Sequence, residues 1–163
     1  GYSTYVVDSG FCNDRSIASG DGYKDSTSTL YNAYGRVRNH KPSFLCPNST
    51  NDLFTLSGNT KGNELLTYPV GLITIDEVAH AGAVWSALNK LSYLYIGEAF
   101  WSMSPYSYFE FNGRANGLYL AETGAIIANP VNCTFYVRPV INLKANTEIT
   151  GGIGTANDPF IIK

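Results

Sequence analysis

The last third of the chain is the feature that most constrains its fold. Two apolar segments, residues 100–106 and 136–144, enclose a run dominated by Tyr, Asn, Gly, Ser and Phe. The enclosing segments have the composition of strands, whereas the enclosed run has the composition of a contact surface with few reactive groups. The pattern therefore predicts a β scaffold that carries exposed loops and hairpins.

Length and composition indicate the broad class. The 163 residues suit a single domain, 1–163, and the 44% that are apolar suffice for a core. Only 15% are charged, so solubility depends on Asn, Ser and Thr, as is typical of extracellular β-rich proteins. The net charge of -2 disfavours nucleic acid as a partner. We expect no membrane contact from this chain, because it lacks an apolar run of the ~20 residues needed to span a bilayer.

A first helix is predicted over residues 30–37, where apolar side chains recur at helical spacing. Thr29 precedes them and is a candidate N-cap. A small basic cluster follows, and without a phosphate-binding motif it is interpreted as a solvated loop. Its members are Arg36, Arg38, His40 and Lys41.

A second helix is predicted over residues 75–81. Thr74 can accept a hydrogen bond from the amide of Glu77, and the Glu77 carboxylate can return to the Thr74 amide, which forms a capping box. This cap explains Asp76 and Glu77 better than a catalytic pair of acids does, because two acids also suit the first turn of a helix.

The remaining pattern is that of short strands and tight turns, which gives an α+β class with a small, mostly antiparallel sheet. Pro139 removes one amide from the longest strand, so that strand is expected at an edge or with a bulge. The predicted strands are residues 65–73, 91–96, 98–103, 118–121, 125–128, 135–143 and 159–163. The predicted turns are Asn112–Gly113, Asn116–Gly117 and the hairpin loop 122–124.

The cysteines indicate one disulfide. Cys12 and Cys46 lie in similar sequence settings, and a bridge between them would close a loop rich in Gly, Ser and Asn. The chain-entropy model assigns such a bridge roughly 3–4 kcal/mol. Cys133 remains as an odd residue, more readily a replacement for another small residue than a nucleophile. None of the three has the close spacing of a metal site.

Five segments resemble an uncharacterised family of surface proteins from Firmicutes and Mollicutes. The segments are residues 10–16, 67–78, 101–106, 137–143 and 154–160. The resemblance implies a C-terminal module of the C-type-lectin-like, formylglycine-generating-enzyme-like fold. It also implies an extracellular location, with attachment to the cell surface through a segment outside this chain. Gly1 has the look of a scar left by cleavage, and if the native protein is exported, its export signal is expected upstream.

Some proteins of this fold are variable proteins of diversity-generating retroelements, and residues 106–135 resemble their variable stretch. The similarity implies a non-catalytic binding domain, an adhesin or variable display module, for an unknown protein or glycan. The alternative for the contact residues is core packing, since neighbours along a strand face opposite ways. The predicted contact residues are Tyr106, Tyr108, Phe109, Asn112, Arg114, Asn116 and Tyr119.

Two other functions are weighed against binding. A structural or tip module of a surface assembly would fit the uncharged polar composition. An enzyme of the formylglycine-generating type would need a cysteine pair near the C-terminus, where only Cys133 occurs. His40 and His80 are the available bases near neutral pH, and each is interpreted as a packed or surface residue.

No cofactor and no obligatory metal are expected. Asp14, Asp21 and Asp25 lie near one another in sequence, but their spacing matches no calcium-loop motif. Members of the family are expected to begin upstream, with a strand that pairs with the C-terminal one. This chain is therefore expected to leave its final strand unpaired, which would favour a strand-mediated dimer.

Overall fold

The structure is a computed structural model that describes residues 4–22, 27–57, 65–155 and 157–163. Its helices are short and its strands form several small sheets around one larger sheet, so the predicted α+β class is confirmed. The helices are α1 Asn32–Arg38, α2 Ser49–Asp52 and α3 Ile75–His80. None of those in the described part of the chain has the length and hydrophobicity required to cross a bilayer.

Most of the strands have only two or three residues, and the longest are β8, β9 and β10. In chain order the strands are β1 Val6–Val7, β2 Phe11–Cys12, β3 Ile17–Ser19, β4 Thr29–Tyr31, β5 Leu53–Phe54, β6 Gly71–Leu72, β7 Val84–Trp85, β8 Phe100–Phe109, β9 Arg114–Leu120, β10 Ala125–Pro130, β11 Tyr136–Val137, β12 Pro139–Val140, β13 Asn142–Leu143, β14 Ile149–Gly151 and β15 Ile161–Ile162. The long strands are consecutive in sequence and provide the scaffold for the others.

The main sheet has the order β3-β4-β8-β9-β10-β7, and β11 also pairs with β8. Strands β8, β9 and β10 form an antiparallel meander, whereas β7 and β11 add to it in parallel. The predicted hairpin loop 122–124 joins β9 to β10 and is confirmed. Gly124 has φ +78 there, and a Cβ on it would lie 2.2 Å from the Asn89 carbonyl oxygen, so the turn requires glycine.

Strand β8 carries bulges opposite β9. Trp101 pairs with Tyr119 and Pro105 with Gly117, so the β8 segment is longer than the β9 segment it faces. A proline has no amide to donate to the ladder, and bulges accommodate such positions. The predicted turn at Asn116–Gly117 is wrong, because both residues lie inside β9 and pair with β8.

The core lies between the inner face of this sheet and helices α1 and α3. Phe100, Leu118, Leu120 and Ile126 contribute from the strands, and each is fully buried. The helical contribution is smaller in volume and comes from Ala33, Val37, Ile75 and Val78. The short helices therefore bury one apolar side against the sheet, which fixes their position beside β8.

The two helix predictions differ in outcome. Helix α3 has the predicted capping box, and it ends one residue earlier than predicted. Helix α1 begins at Asn32, because residues 30 and 31 belong to β4. Thr29 is wrong as the N-cap: it is buried in β4, and its hydroxyl donates to the Gly22 carbonyl at 2.7 Å. Sheet pairing has replaced the first turn of the predicted helix.

The predicted strand 135–143 is divided into three short strands with different partners. β11 pairs with β8, β12 with β6 and β13 with β1. Pro139 opens β12 in a two-stranded sheet, which agrees with its expected edge position. The predicted strand 91–96 is wrong, because those residues form turns and irregular chain.

The first and the last strands of the described chain are both paired within the chain. β13 pairs with β1, and the final strand β15 pairs antiparallel with β14. The expectation that the last strand lacks a partner is therefore wrong. The predicted disulfide is present: Cys12 and Cys46 are bonded with Cα atoms 5.8 Å apart, and Cys133 is a free thiol.

Candidate functional site

The β8–β9 hairpin ends in a turn that exposes several of the predicted contact residues. We call residues 109–114 the hairpin tip. A short 3₁₀ turn, Glu110–Asn112, leads to Gly113 in the left-handed region at φ +63, so the predicted Asn112–Gly113 turn is confirmed. The Asn112 side-chain oxygen accepts from the Arg114 amide at 3.1 Å, which stabilises the turn locally.

The hairpin tip presents apolar and polar groups together. Phe111 is 76% exposed and packs against the ring of Phe109, with centroids 5.8 Å apart. Asn112 and Arg114 are exposed beside them. Glu110 accepts a hydrogen bond from Ser28, which lowers the pKa of that carboxyl and ties the tip to the segment before β4. The tip is therefore held in place while its side chains remain accessible.

Three of the predicted contact residues are buried instead. Tyr108, Asn116 and Tyr119 are each at most 9% exposed, so they cannot form the predicted surface in this conformation. The physical reason is that Tyr108 lies on β8 and Asn116 and Tyr119 lie on β9, and both are inner strands of the main sheet. The Asn116 amide donates to the Ser107 hydroxyl at 3.1 Å, and both side chains are buried.

Tyr119 belongs to a second, smaller cluster on the outer face of the sheet. Its ring stacks on Phe135 at 4.4 Å and lies 5.5 Å from Trp101. Gly117 makes room for this cluster, because a Cβ there would lie 3.1 Å from the Trp101 ring. These residues stabilise the hairpin and belong to its scaffold. This agrees with the alternative considered for the contact residues, in which one side of each strand packs in a core.

Beside this cluster runs an apolar groove of about 390 Å³ at the β8 bulges. Its apolar lining includes Met103, Pro105 and Val137, and none of its lining residues is charged. The hydroxyl of Ser102 donates to the Leu118 carbonyl at 2.7 Å, and that of Ser104 accepts from the Ile75 amide at 3.0 Å. The serines of the groove are thus engaged within the protein.

Tyr106 faces the opposite side of the sheet from Tyr119. It packs with Tyr34 of α1 and Trp85 of β7, and all three rings are partly exposed. Arg38 lies over the Tyr34 ring, 5.9 Å from its centroid. We call these four residues the aromatic patch. Of these four residues only Tyr106 was predicted from the sequence to be a contact residue. The position of Tyr34 on the predicted helix 30–37 could have indicated a second one.

Arg36 makes a different set of contacts on the other side of α1. Its guanidinium donates to Asp76 at 2.8 and 2.7 Å and to Asp14 at 2.6 Å. The amide of Ser43 also donates to Asp76, at 2.9 Å. We call these four residues the Arg36 network. The interpretation of Arg36 as part of a solvated loop is wrong. Asp76 lies in the first turn of α3, as predicted, and in addition pairs with Arg36.

Electrostatics keep this network charged. Burial acts to raise the pKa of Asp14, but hydrogen bonds from Ser16 and Arg36 outweigh it and lower the pKa overall. Hydrogen bonds to Asp76 raise the pKa of Arg36 further above its usual value. A cavity of about 240 Å³ borders the network and the Cys12–Cys46 disulfide. The shifted pKa values of Asp14 and Arg36 favour their charged forms near neutral pH, which makes these two groups poor proton donors and acceptors.

The remaining candidate groups lie apart. His40 and His80 are exposed, and His80 packs edge-on against Phe44 at 5.0 Å. Within the described ranges, no three His, Cys, Asp or Glu side chains come together as a metal site would require. Asp14 is held by Arg36, Asp21 is exposed, and Asp25 lies outside the described residues.

The chain was also compared with known proteins. No protein-family model matches it, and no curated protein or solved structure matches it.

Proposed function

We propose that this chain is a non-catalytic ligand-binding domain of a bacterial surface protein, an adhesin or variable display module with a C-type-lectin-like fold. The observation that carries the proposal is the hairpin tip. It holds Phe111, Asn112 and Arg114 exposed at the end of a hairpin whose two strands contribute side chains to packed clusters on both faces of the sheet. A fixed scaffold under exposed aromatic, amide and guanidinium groups is suited to recognition, since little conformational entropy is lost on binding.

Three further features support this function. The Cys12–Cys46 disulfide suits an oxidising, extracellular location. The hydrogen bond from Ser28 to Glu110 joins the hairpin tip to the segment before β4, which fits a contact surface that is held in one conformation. The pKa values of Asp14 and Arg36 are shifted toward the permanently charged state, which is the opposite of what acid–base catalysis at neutral pH requires.

A direct test uses one exposed aromatic at each end of β8. Phe111→Ala changes the hairpin tip, and Tyr136→Ala changes a ring that is 63% exposed beside Phe100, at the other end of the strand. The wild-type chain and both variants are applied to an array of glycans and extracellular proteins. We expect Phe111→Ala to weaken capture at least tenfold, because it removes a central aromatic contact. Equal binding by all three proteins would contradict the proposal.

A structural role in a surface assembly is the second candidate. The β14–β15 hairpin favours it, because its apolar side chains Ile149, Ile161 and Phe160 are 61%, 58% and 49% exposed. Such side chains are frequent at subunit contacts. Sedimentation of the chain at high concentration tests this role: a concentration-dependent oligomer that Ile149→Lys abolishes would favour assembly, and a strict monomer would argue against it.

A further inference from the structure

The aromatic patch brings three rings from three elements into one cluster. Tyr34 stands edge-on to Trp85 and to Tyr106, with centroids 4.8 and 4.9 Å away. Trp85 and Tyr106 are nearly parallel, with an angle of 21° and centroids 5.9 Å apart. Because the rings fix one another and each is partly exposed, they offer a rigid surface of aromatic carbon to solvent.

Arg38 adds a fixed positive charge to these rings. Its guanidinium donates a hydrogen bond to the Tyr34 hydroxyl at 3.3 Å and lies over the same ring. The residue itself is exposed, so the remaining donors of its guanidinium face water. Contact with Tyr34 therefore restrains a side chain that would otherwise lose much rotamer freedom on binding a ligand.

The charge of Arg38 is uncompensated, unlike that of Arg36. In the parts of the chain that the structure describes, ion pairs join Arg15 to Asp52 and Arg36 to Asp14 and Asp76. Arg38 takes part in none of them. Burial and the neighbouring Tyr34 raise the pKa of Tyr106, and the charge of Arg38 acts against them. The positive charge of Arg38 thus acts on the hydroxyl of Tyr106.

The backbone next to the patch is unusual. Among the described non-glycine residues only His40 and Ser86 have a positive φ, 54° in both cases. His40 is the first residue after the C-cap of α1, and its conformation is that of an ordinary helix end, because the amides of His40 and Lys41 donate to the carbonyls of Val37 and Arg36. Ser86 follows Trp85 directly and has no such explanation. The Ser86 amide donates to the Ile126 carbonyl at 2.9 Å, which holds the turn after Trp85 in place. Backbone held in this region is concentrated at ligand-binding positions.

We propose that the aromatic patch binds a sugar ring that carries a carboxylate. The carboxylate pairs with the exposed donors of Arg38, and the C–H face of the sugar lies on the rings of Trp85 and Tyr106. An uncharged sugar could accept hydrogen bonds from Arg38 but would leave its charge unpaired, and an inorganic anion would leave the rings without a contact. The inference deepens the proposed binding function, on which it rests, by naming a ligand class for the side of the hairpin that bears Tyr106.

The test compares matched ligands with and without charge. Binding of oligosaccharides of glucuronic, galacturonic and N-acetylneuraminic acid is measured by calorimetry, each beside its neutral methyl ester. We expect at least one acid to bind about tenfold more tightly than its ester, and the difference to shrink as salt is added. Arg38→Gln removes this preference, whereas Lys41→Gln, a change of another exposed basic residue nearby, preserves it.

A second variant separates ring contact from charge. Trp85→Leu weakens the acid and its ester together, because both use the ring face, and a thermal unfolding curve for each variant verifies that it is folded. Equal affinity for acid and ester, no binding of any of the acids, or an acid preference that survives Arg38→Gln would each overturn the inference. The hairpin-tip test with Phe111→Ala is judged separately on the glycan and protein array, so the binding function can stand if this ligand class fails.

Discussion

The Arg36 network and the aromatic patch lie on two sides of the same short helix, and they differ in how their charges are satisfied. Arg36 is 19% exposed and is paired with two buried carboxylates. Arg38, two residues later, is exposed and contacts only a tyrosine among its described partners. Side chains two apart on a helix face different surroundings. The paired charge of Arg36 stabilises the fold, whereas the unpaired charge of Arg38 is available to a ligand.

The largest effect is expected from breaking the Arg36 network. Asp76→Asn removes the charge that pairs with Arg36 through two hydrogen bonds and that also accepts from the Ser43 amide. We expect the free energy of unfolding in urea to fall by about 3 kcal/mol, since a buried ion is left poorly compensated. Arg38→Gln should change it by less than about 0.5 kcal/mol. Similar losses for the two variants would erase the contrast between the regions.

Removal of the disulfide on the side of the Arg36 network should have an effect of similar size. The bridge spans 34 residues, and its cysteines line the same cavity as Asp14 and Arg36. Replacing both cysteines by serine is expected to cost about 3 kcal/mol through the larger entropy of the unfolded chain. Ligand capture by the fraction that remains folded should be unchanged. A selective loss of capture would show that the two regions are coupled.

Acid should weaken the network through Asp14. The pKa of Asp14 is lowered in the folded state from 3.8, so the carboxylate stabilises the fold at neutral pH. This contribution is lost as the pH falls below about 3.8 and through the lower folded-state value, at roughly 1.4 kcal/mol per unit of difference. Urea titrations between pH 7 and pH 2 measure the loss. In Asp14→Asn the free energy of unfolding should fall less at low pH than in the wild type. An equal fall in both proteins would contradict the assignment to Asp14.

The smallest effects are expected from two glycines of the scaffold, one beside the Trp101 ring and one with open space around it. Gly117→Ala places a Cβ 3.1 Å from the Trp101 ring and should destabilise the protein by about 1 kcal/mol. Gly35→Ala is the matched control, because its Cβ would meet nothing within 4 Å and alanine favours a helix. It should stabilise by about 0.5 kcal/mol. Thermal unfolding of the two variants should therefore shift in opposite directions, and a parallel shift would contradict the packing described for Trp101.

Local chemistry made part of this structure predictable. The α3 capping box depends on Thr74 and Glu77 alone, and the hairpin loop depends on Gly124, so both follow from neighbouring residues. The strand 135–143 could not be placed correctly, because it pairs with three distant strands. Asn116 and Gly117 have the composition of a turn, but burial between β8 and β10 determines their conformation.

The site was partly predictable for the same reason. The exposed residues of the hairpin tip follow from a turn dipeptide, whereas Arg38 and Trp85 join Tyr106 only through tertiary packing. Likewise Asp76 suited a helix N-terminus in sequence, and its contact with Arg36 crosses 40 residues of chain. Sequence patterns indicated which residue types could bind, and packing decided which of them remain exposed.

We propose above all that the β8–β9 hairpin combines a fixed scaffold with a displayed surface that tolerates substitution. The most direct measurement is a saturation mutagenesis scan of residues 100–145, in which protease resistance reports folding and no ligand is needed. We expect substitutions to be tolerated at the exposed positions Phe111, Asn112 and Arg114, and not at the buried positions Asn116 and Tyr119. Uniform tolerance along the hairpin, or intolerance concentrated at its tip, would contradict it.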